Sequence, residues 1–132
     1  VNPCLKPDFL YIVKQRGGLF AKGRLLGLQF AELFRDGLYY ELARHANREA
    51  MRIKAALTEL GVAFQVDSPT NQQFVILSKE QKQRLAEEIA FEIWEPLPDD
   101  HLLCRFVTCW ATKEADITAL DEALKRTLAA NA

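Results

Sequence analysis

Apolar residues recur first at helical spacing and later in alternation, and the change falls at Gly61. Phe9, Ile12 and Val13 share one side of a short helix over 8–15, with Pro7 suited to its first turn. Gly17-Gly18 ends it. Leu25, Leu26, Phe30, Leu33 and Phe34 predict a second helix from about Phe20 to Phe34, which Asp36-Gly37 breaks. The third helix is the clearest. Leu38, Leu42, Ala46, Ala50, Ile53, Leu57 and Leu60 trace one stripe, and Gly61 follows as the stop. Arg44, Arg48, Glu49, Arg52 and Lys54 read as its solvated side, with His45 beside the stripe and no second ligand-type residue at metal spacing.

Beyond Gly61 the period becomes extended. Val62 to Val66 and Gln73 to Leu77 read as strands joined by the turn-forming run Asp67-Ser68-Pro69-Thr70-Asn71. Ser78-Lys79-Glu80-Gln81 has the form of a capping box that starts a helix carrying Leu85, Ala86 and Ile89. Phe91 to Trp94 and Leu102 to Trp110 are further strands, separated by a loop at Pro98-Asp99-Asp100-His101. Thr112 is the predicted N-cap of a last helix carrying Ile117, Leu120, Leu124 and Leu128, with Glu114 and Asp116 complementing its dipole. Helices followed by a small three- to four-stranded, mainly antiparallel sheet with helices on one face make an α+β fold.

Composition narrows the class. A chain of 132 residues with 49% hydrophobic and 27% charged positions can build a real core. A formal net charge of -1 provides no global field to recruit nucleic acid or an anionic membrane, and the apolar runs are too short to span a bilayer. Cys4, Cys104 and Cys109 have neither disulfide-framework nor zinc-type spacing, so reduced thiols and a cytoplasmic setting are expected, with Cys104 packing as a small hydrophobe. No leader precedes the first element, and Val1-Asn2-Pro3 without an initiator Met reads as the middle of something longer.

Two places carry chemistry. The stretch 14–30 holds Gly17, Gly18, Gly23 and Gly27 together with Lys14, Arg16, Lys22 and Arg24, and runs into a helix start. Glycines admit close backbone approach, a helix N-terminus offers unpaired N–H groups, and Lys22 and Arg24 add fixed charge, a pattern suited to an anion. A glycine-rich turn with solvated cations accounts for the same residues. The other place is Arg105, set by alternation on the strand face of Leu103, Val107 and Cys109. A guanidinium there needs an anionic partner, either a structural carboxylate such as Glu92 or Glu95 or a bound carboxylate gripped bidentately. Neither a nucleophile motif nor an acid/base constellation joins His45 to His101, and the glycine-rich run has neither the Walker ending nor a G-x-G-x-x-G pattern.

Four blocks carry a resemblance. They are Lys14 to Phe30; Leu38-Tyr39-Tyr40-Glu41 with His45-Ala46-Asn47; Val66 to Phe74; and Arg105-Phe106-Val107-Thr108-Cys109-Trp110-Ala111-Thr112. In this order they resemble the threonine aldolase/β-eliminating lyase family, pyridoxal-phosphate enzymes of the aspartate-aminotransferase fold. The resemblance implies the last third of such an enzyme: a linking helical segment over 1–35 with the basic glycine-rich loop, then a small C-terminal α+β domain over 36–132. The family's Schiff-base lysine, ring-nitrogen aspartate and stacking histidine would lie upstream, in a missing N-terminal large domain, so the chain alone is expected to be inactive. Lys22 is no substitute, since its block matches the segment after that lysine.

The resemblance assigns Arg105 to the substrate carboxylate. It assigns Arg24, assisted by Lys22, to the cofactor phosphate, in relatives from a neighbouring subunit. The implied reaction is cleavage of a β-hydroxy-α-amino acid to glycine and an aldehyde, or β-elimination, by a homo-oligomer. Removal from a larger body is also expected to expose Phe9, Leu10, Tyr11, Leu19 and Phe20. The alternatives are an inert structural or interaction domain and a small anion-binding module.

Overall fold

The computed structural model describes residues 2–129 and divides into two compact units, the first ending at Tyr39 and the second beginning at Tyr40. In the first unit, α1 (Phe9–Gln15) and α2 (Arg24–Phe34) form, and a kink follows at Asp36 and Gly37, which both take positive φ. α2 begins four residues later than the apolar spacing predicts, because Ala21 to Gly23 form a turn. No described side chain of this unit is buried. Phe9, Leu10, Tyr11, Leu19 and Phe20 are all exposed, as are Leu25, Leu26, Phe30 and Phe34 along α2.

The second unit holds the core. α3 (Leu38–Glu59) crosses from one unit to the other, and its stripe is buried from Ala46 onward through Ala50, Ile53 and Leu57, whereas Leu38 is exposed. Its end is fixed by Gly61 at φ 70, a left-handed conformation that costs glycine little, which lets the Val62 N–H reach the Leu57 carbonyl at 3.0 Å. The chain then turns into β1 (Ala63–Phe64), shorter than predicted.

β2 (Gln72–Ser78), α4 (Lys79–Ala86), β3 (Glu92–Pro96), β4 (His101–Val107) and α5 (Glu114–Leu128) complete the fold. The sheet order is β1-β2-β4-β3 and all its pairings are antiparallel. Gln73, Val75 and Leu77 of β2 stand opposite Phe106, Cys104 and Leu102 of β4. This face packs on Ile53 and Leu57 of α3, Leu85 of α4, and Ile117, Leu124 and Leu128 of α5. The helices therefore cover one face, as the α+β reading anticipates. Cys104 sits in that core, and burial raises its thiol pKa. The other face carries Gln72, Phe74, Ile76, Leu103 and Arg105.

Three local readings change or sharpen. The capping box at Ser78 forms in both directions, with Gln81 N–H to Ser78 Oγ at 3.1 Å and Ser78 N–H to Gln81 Oε1 at 2.9 Å. Thr112 does not cap α5. Its Oγ1 accepts from the Cys109 N–H at 2.9 Å, and Lys113 takes the cap position with its N–H donated to Asp116 Oδ2 at 3.0 Å. The charged side of α3 is not all solvated either: Glu49 is 4% exposed and accepts from Arg48 Nε at 3.2 Å and Arg52 Nη1 at 2.9 Å.

Candidate functional site

The open sheet face brings Arg105 into a defined setting. It lies mid-strand in β4, with Phe74 of β2 as its partner on one side and Glu92 of β3 on the other. Arg105 Nε donates to Glu92 Oε2 at 2.9 Å, Nη2 donates to the same oxygen, and Nη1 donates to Gln72 Oε1 at 3.1 Å. The register of β3 shifts between Ile93 and Glu95, a bulge that leaves Trp94 without a partner of its own on β4. Its ring covers the guanidinium, with Cζ 4.6 Å from the ring centre, and Phe74 braces the ring edge-on at 5.5 Å. Of the structural carboxylates the sequence offers, Glu92 makes the pair; Glu95 stands opposite Leu103.

Arg105 is nevertheless not sealed. Its side chain is 23% exposed and that of Glu92 51%. A cation held in place by strand register, an aromatic ring and one carboxylate oxygen can still meet a further anion from solvent, because Arg binds through more than one edge.

The end of β4 is tied down by polar bonds. Thr108 donates its hydroxyl to the Ala46 carbonyl at 2.7 Å and its N–H to the Asn71 carbonyl at 3.1 Å, while Asn71 Nδ2 donates to the Thr108 carbonyl at 2.7 Å. The 67–71 turn is thereby fastened to α3 and to β4, and the Asn71 amide is used in the fastening. His45 is fixed nearby. Its Nε2 can only donate to the Thr112 carbonyl, 2.8 Å away, so Nδ1 must accept from Arg48 Nη2 at 2.9 Å, which sets one neutral tautomer. His101 donates Nδ1–H to the Asp99 carbonyl at 2.7 Å. Both histidines are thus engaged with backbone, and among the described residues no His/Cys/Asp/Glu group could hold a metal.

Lys22 and Arg24 belong to the first unit. Both are exposed, Arg24 is the first residue of α2, and Gly23 at the cap position contributes no side-chain hydrogen bond to the helix end. Two exposed cations at a helix start are a donor set that fits a phosphate, with the Leu25 N–H there already donated to the Lys22 carbonyl at 3.2 Å. Sequence reasoning missed Gln72 and Trp94 as parts of the Arg105 setting. The sequence pattern starts that strand only at Gln73, so Gln72 lay between turn and strand, and it is the strand register that brings it to Arg105.

No family model and no curated protein matches the chain. Solved structures do. The Leishmania major threonine aldolase is 39% identical and superposes with a TM-score of 0.85 over 96% of this chain and 37% of its own. A Sphingomonas wittichii serine palmitoyltransferase is 16% identical at a TM-score of 0.51, over 64% of this chain and 24% of its own, which shows the fold alone. This chain thus spans 37% of the length of the aldolase that it matches. With an α+β fold shared nearly end to end at 39% identity, the chain belongs to the threonine aldolase/β-eliminating lyase family.

Proposed function

We propose that this chain is the small C-terminal domain of a pyridoxal-phosphate-dependent lyase acting on amino acids, cleaving a β-hydroxy-α-amino acid to glycine and an aldehyde or eliminating at its β-carbon. The observation that carries the reading is the match to a threonine aldolase along 96% of the chain. The exposed basic start of α2 adds support, because Arg24 and Lys22 fit the cofactor's phosphate. In this reading the large domain with its cofactor lysine is supplied by a longer polypeptide of which this chain is part, and the complete enzyme is a homo-oligomer. Residues 1–35 then serve as the linking segment and 36–132 as the small domain.

In this reading Arg105 grips the α-carboxylate of the amino acid and fixes its orientation, and Arg24 with Lys22 neutralises phosphate charge. When bound, the cofactor serves as the electron sink for the bond broken at the α-carbon. The residues of this chain contribute binding and alignment, which lower the barrier by holding the reacting group in one geometry.

The test is a Arg105→Ala exchange in a complete, cofactor-loaded enzyme carrying this chain. The KM for the amino acid should rise by about 10- to 100-fold, the loss of a charge-assisted hydrogen bond, while cofactor absorbance is unchanged. An unchanged KM would remove Arg105 from substrate binding. Arg24→Ala should weaken cofactor binding and leave KM at saturating cofactor nearly unaltered.

A further inference from the structure

Arginine carries five N–H donors and no acceptor. Among the described residues Arg105 spends three of them, Nε–H and one Nη2–H on Glu92 and one Nη1–H on Gln72. One N–H on each of Nη1 and Nη2 remains. The side edge of the guanidinium is filled by a negative oxygen and one flat face by Trp94, so an arriving anion is directed to the Nη end.

Gln72 stands at that end. Because a guanidinium only donates, the Gln72 carbonyl must face Nη1, and this turns its amide NH2 away. Among the described residues that NH2 has no partner, and Gln72 is only part-buried. We propose that Gln72 donates alongside Arg105 to a bound carboxylate, while Glu92 and Trp94 act as positioning residues that hold the Nη end of the guanidinium towards it. Three donors, one from each Nη and one from the amide, then serve two carboxylate oxygens, and the negative charge of Glu92 excludes side-on binding. This assignment rests on the reading of Arg105 as the residue that takes the substrate carboxylate.

The experiment uses the full chain labelled with nitrogen-15, acetate as the probe, and sodium chloride at equal ionic strength as the control for screening. Acetate should shift the Arg105 Nη signals and the Gln72 side-chain amide signals along one saturable curve, with chloride leaving both in place. Gln72→Ala should weaken acetate about tenfold, the loss of one hydrogen bond to a charged group. Gln72→Glu, which keeps an acceptor for Nη1 but removes the donor, should abolish it. If acetate moves Arg105 but not the Gln72 amide, and Gln72→Ala binds it equally well, the role of Gln72 is refuted while that of Arg105 stands. If Arg105 does not respond to acetate, or Arg105→Ala binds it unchanged, the carboxylate reading itself fails. The signals of the unmodified chain decide between these outcomes even where a variant does not fold.

Discussion

Arg105 and Glu92 face each other as register partners on neighbouring antiparallel strands, and both Nε and Nη2 of the arginine donate to one glutamate oxygen, Oε2. An ion pair of this kind can be a structural clamp or a positioning device, and exposure separates the two. The Glu92 side chain is 51% exposed, so water already solvates much of its charge. Glu92→Gln should therefore lower stability by no more than about 1 kcal/mol in urea unfolding, the usual worth of an exposed pair. A loss of several kcal/mol would instead make the pair a clamp of the sheet.

A larger effect is expected where the same strand ends. Thr108 is 2% exposed, and its hydroxyl donates at 2.7 Å to the Ala46 carbonyl, linking β4 to α3. Thr108→Val keeps the shape and removes the donor at a buried site, which should cost about 1–3 kcal/mol. Thr108→Ser, which keeps the hydroxyl, should recover part of it. Equal stability of Val and Thr in chemical denaturation would show that this bond contributes nothing net.

Much of this was legible in the sequence because the signals were local. The α3 stripe, the stop at Gly61, the Ser78 capping box and the alternation that put Arg105 and Leu103 on one face each depend on residues a few positions apart. Glu49 could have been read too. It lies three residues after Ala46 and four before Ile53, on the stripe itself, yet its charge argued for solvent. Thr112 failed differently. It is a good N-cap by type, but its hydroxyl has a competing use at the Cys109 N–H, and Lys113 became the cap. Glu92 was already one of the two carboxylates that the sequence offered Arg105, whereas Gln72 and Trp94 were beyond reach, since strand order, register and a bulge bring them to the guanidinium and no local pattern encodes both.

Acid should weaken the second unit in a definable window. Hydrogen bonding to Lys54 holds the Asp67 carboxyl below its ordinary pKa, Arg126 does the same for Glu88, and Lys79 for Asp100. A carboxyl with a lowered folded-state pKa adds stability at every pH above its unfolded value. That stability is lost as pH falls through the unfolded value of about 4 towards the lower folded one. The melting temperature should therefore fall below about pH 4 on account of these groups, and should owe them no change between about pH 5 and 8. All three are exposed at the surface, so the effect is small and salt-sensitive. Glu88→Gln should flatten the acid limb, and molar salt should flatten it further. An acid limb identical in Glu88→Gln and the unaltered chain would rule the Arg126 pair out as a contributor.

The two cysteines near the end of β4 should differ sharply in reactivity. Cys109 is exposed, and its sulfur accepts from the Ala111 N–H at 3.4 Å and the Thr112 hydroxyl at 3.8 Å, which together lower the thiol pKa by stabilising the thiolate. Cys104 is fully buried among Val75, Leu85 and Phe106, and desolvation pushes its pKa the other way. Iodoacetamide followed by peptide mass spectrometry should find Cys109 modified first, at a pH below that of an ordinary thiol, with Cys104 untouched until the fold is opened by denaturant. Thr112→Val should move the pH midpoint of Cys109 alkylation upward by removing the hydroxyl donor while the backbone donors stay, and Thr112→Ser, which keeps the hydroxyl, should restore it. Alkylation of Cys104 at a rate comparable to Cys109 under native conditions would mean that the helix-covered face opens readily, against the packing that places Leu57, Val75 and Leu124 at its centre.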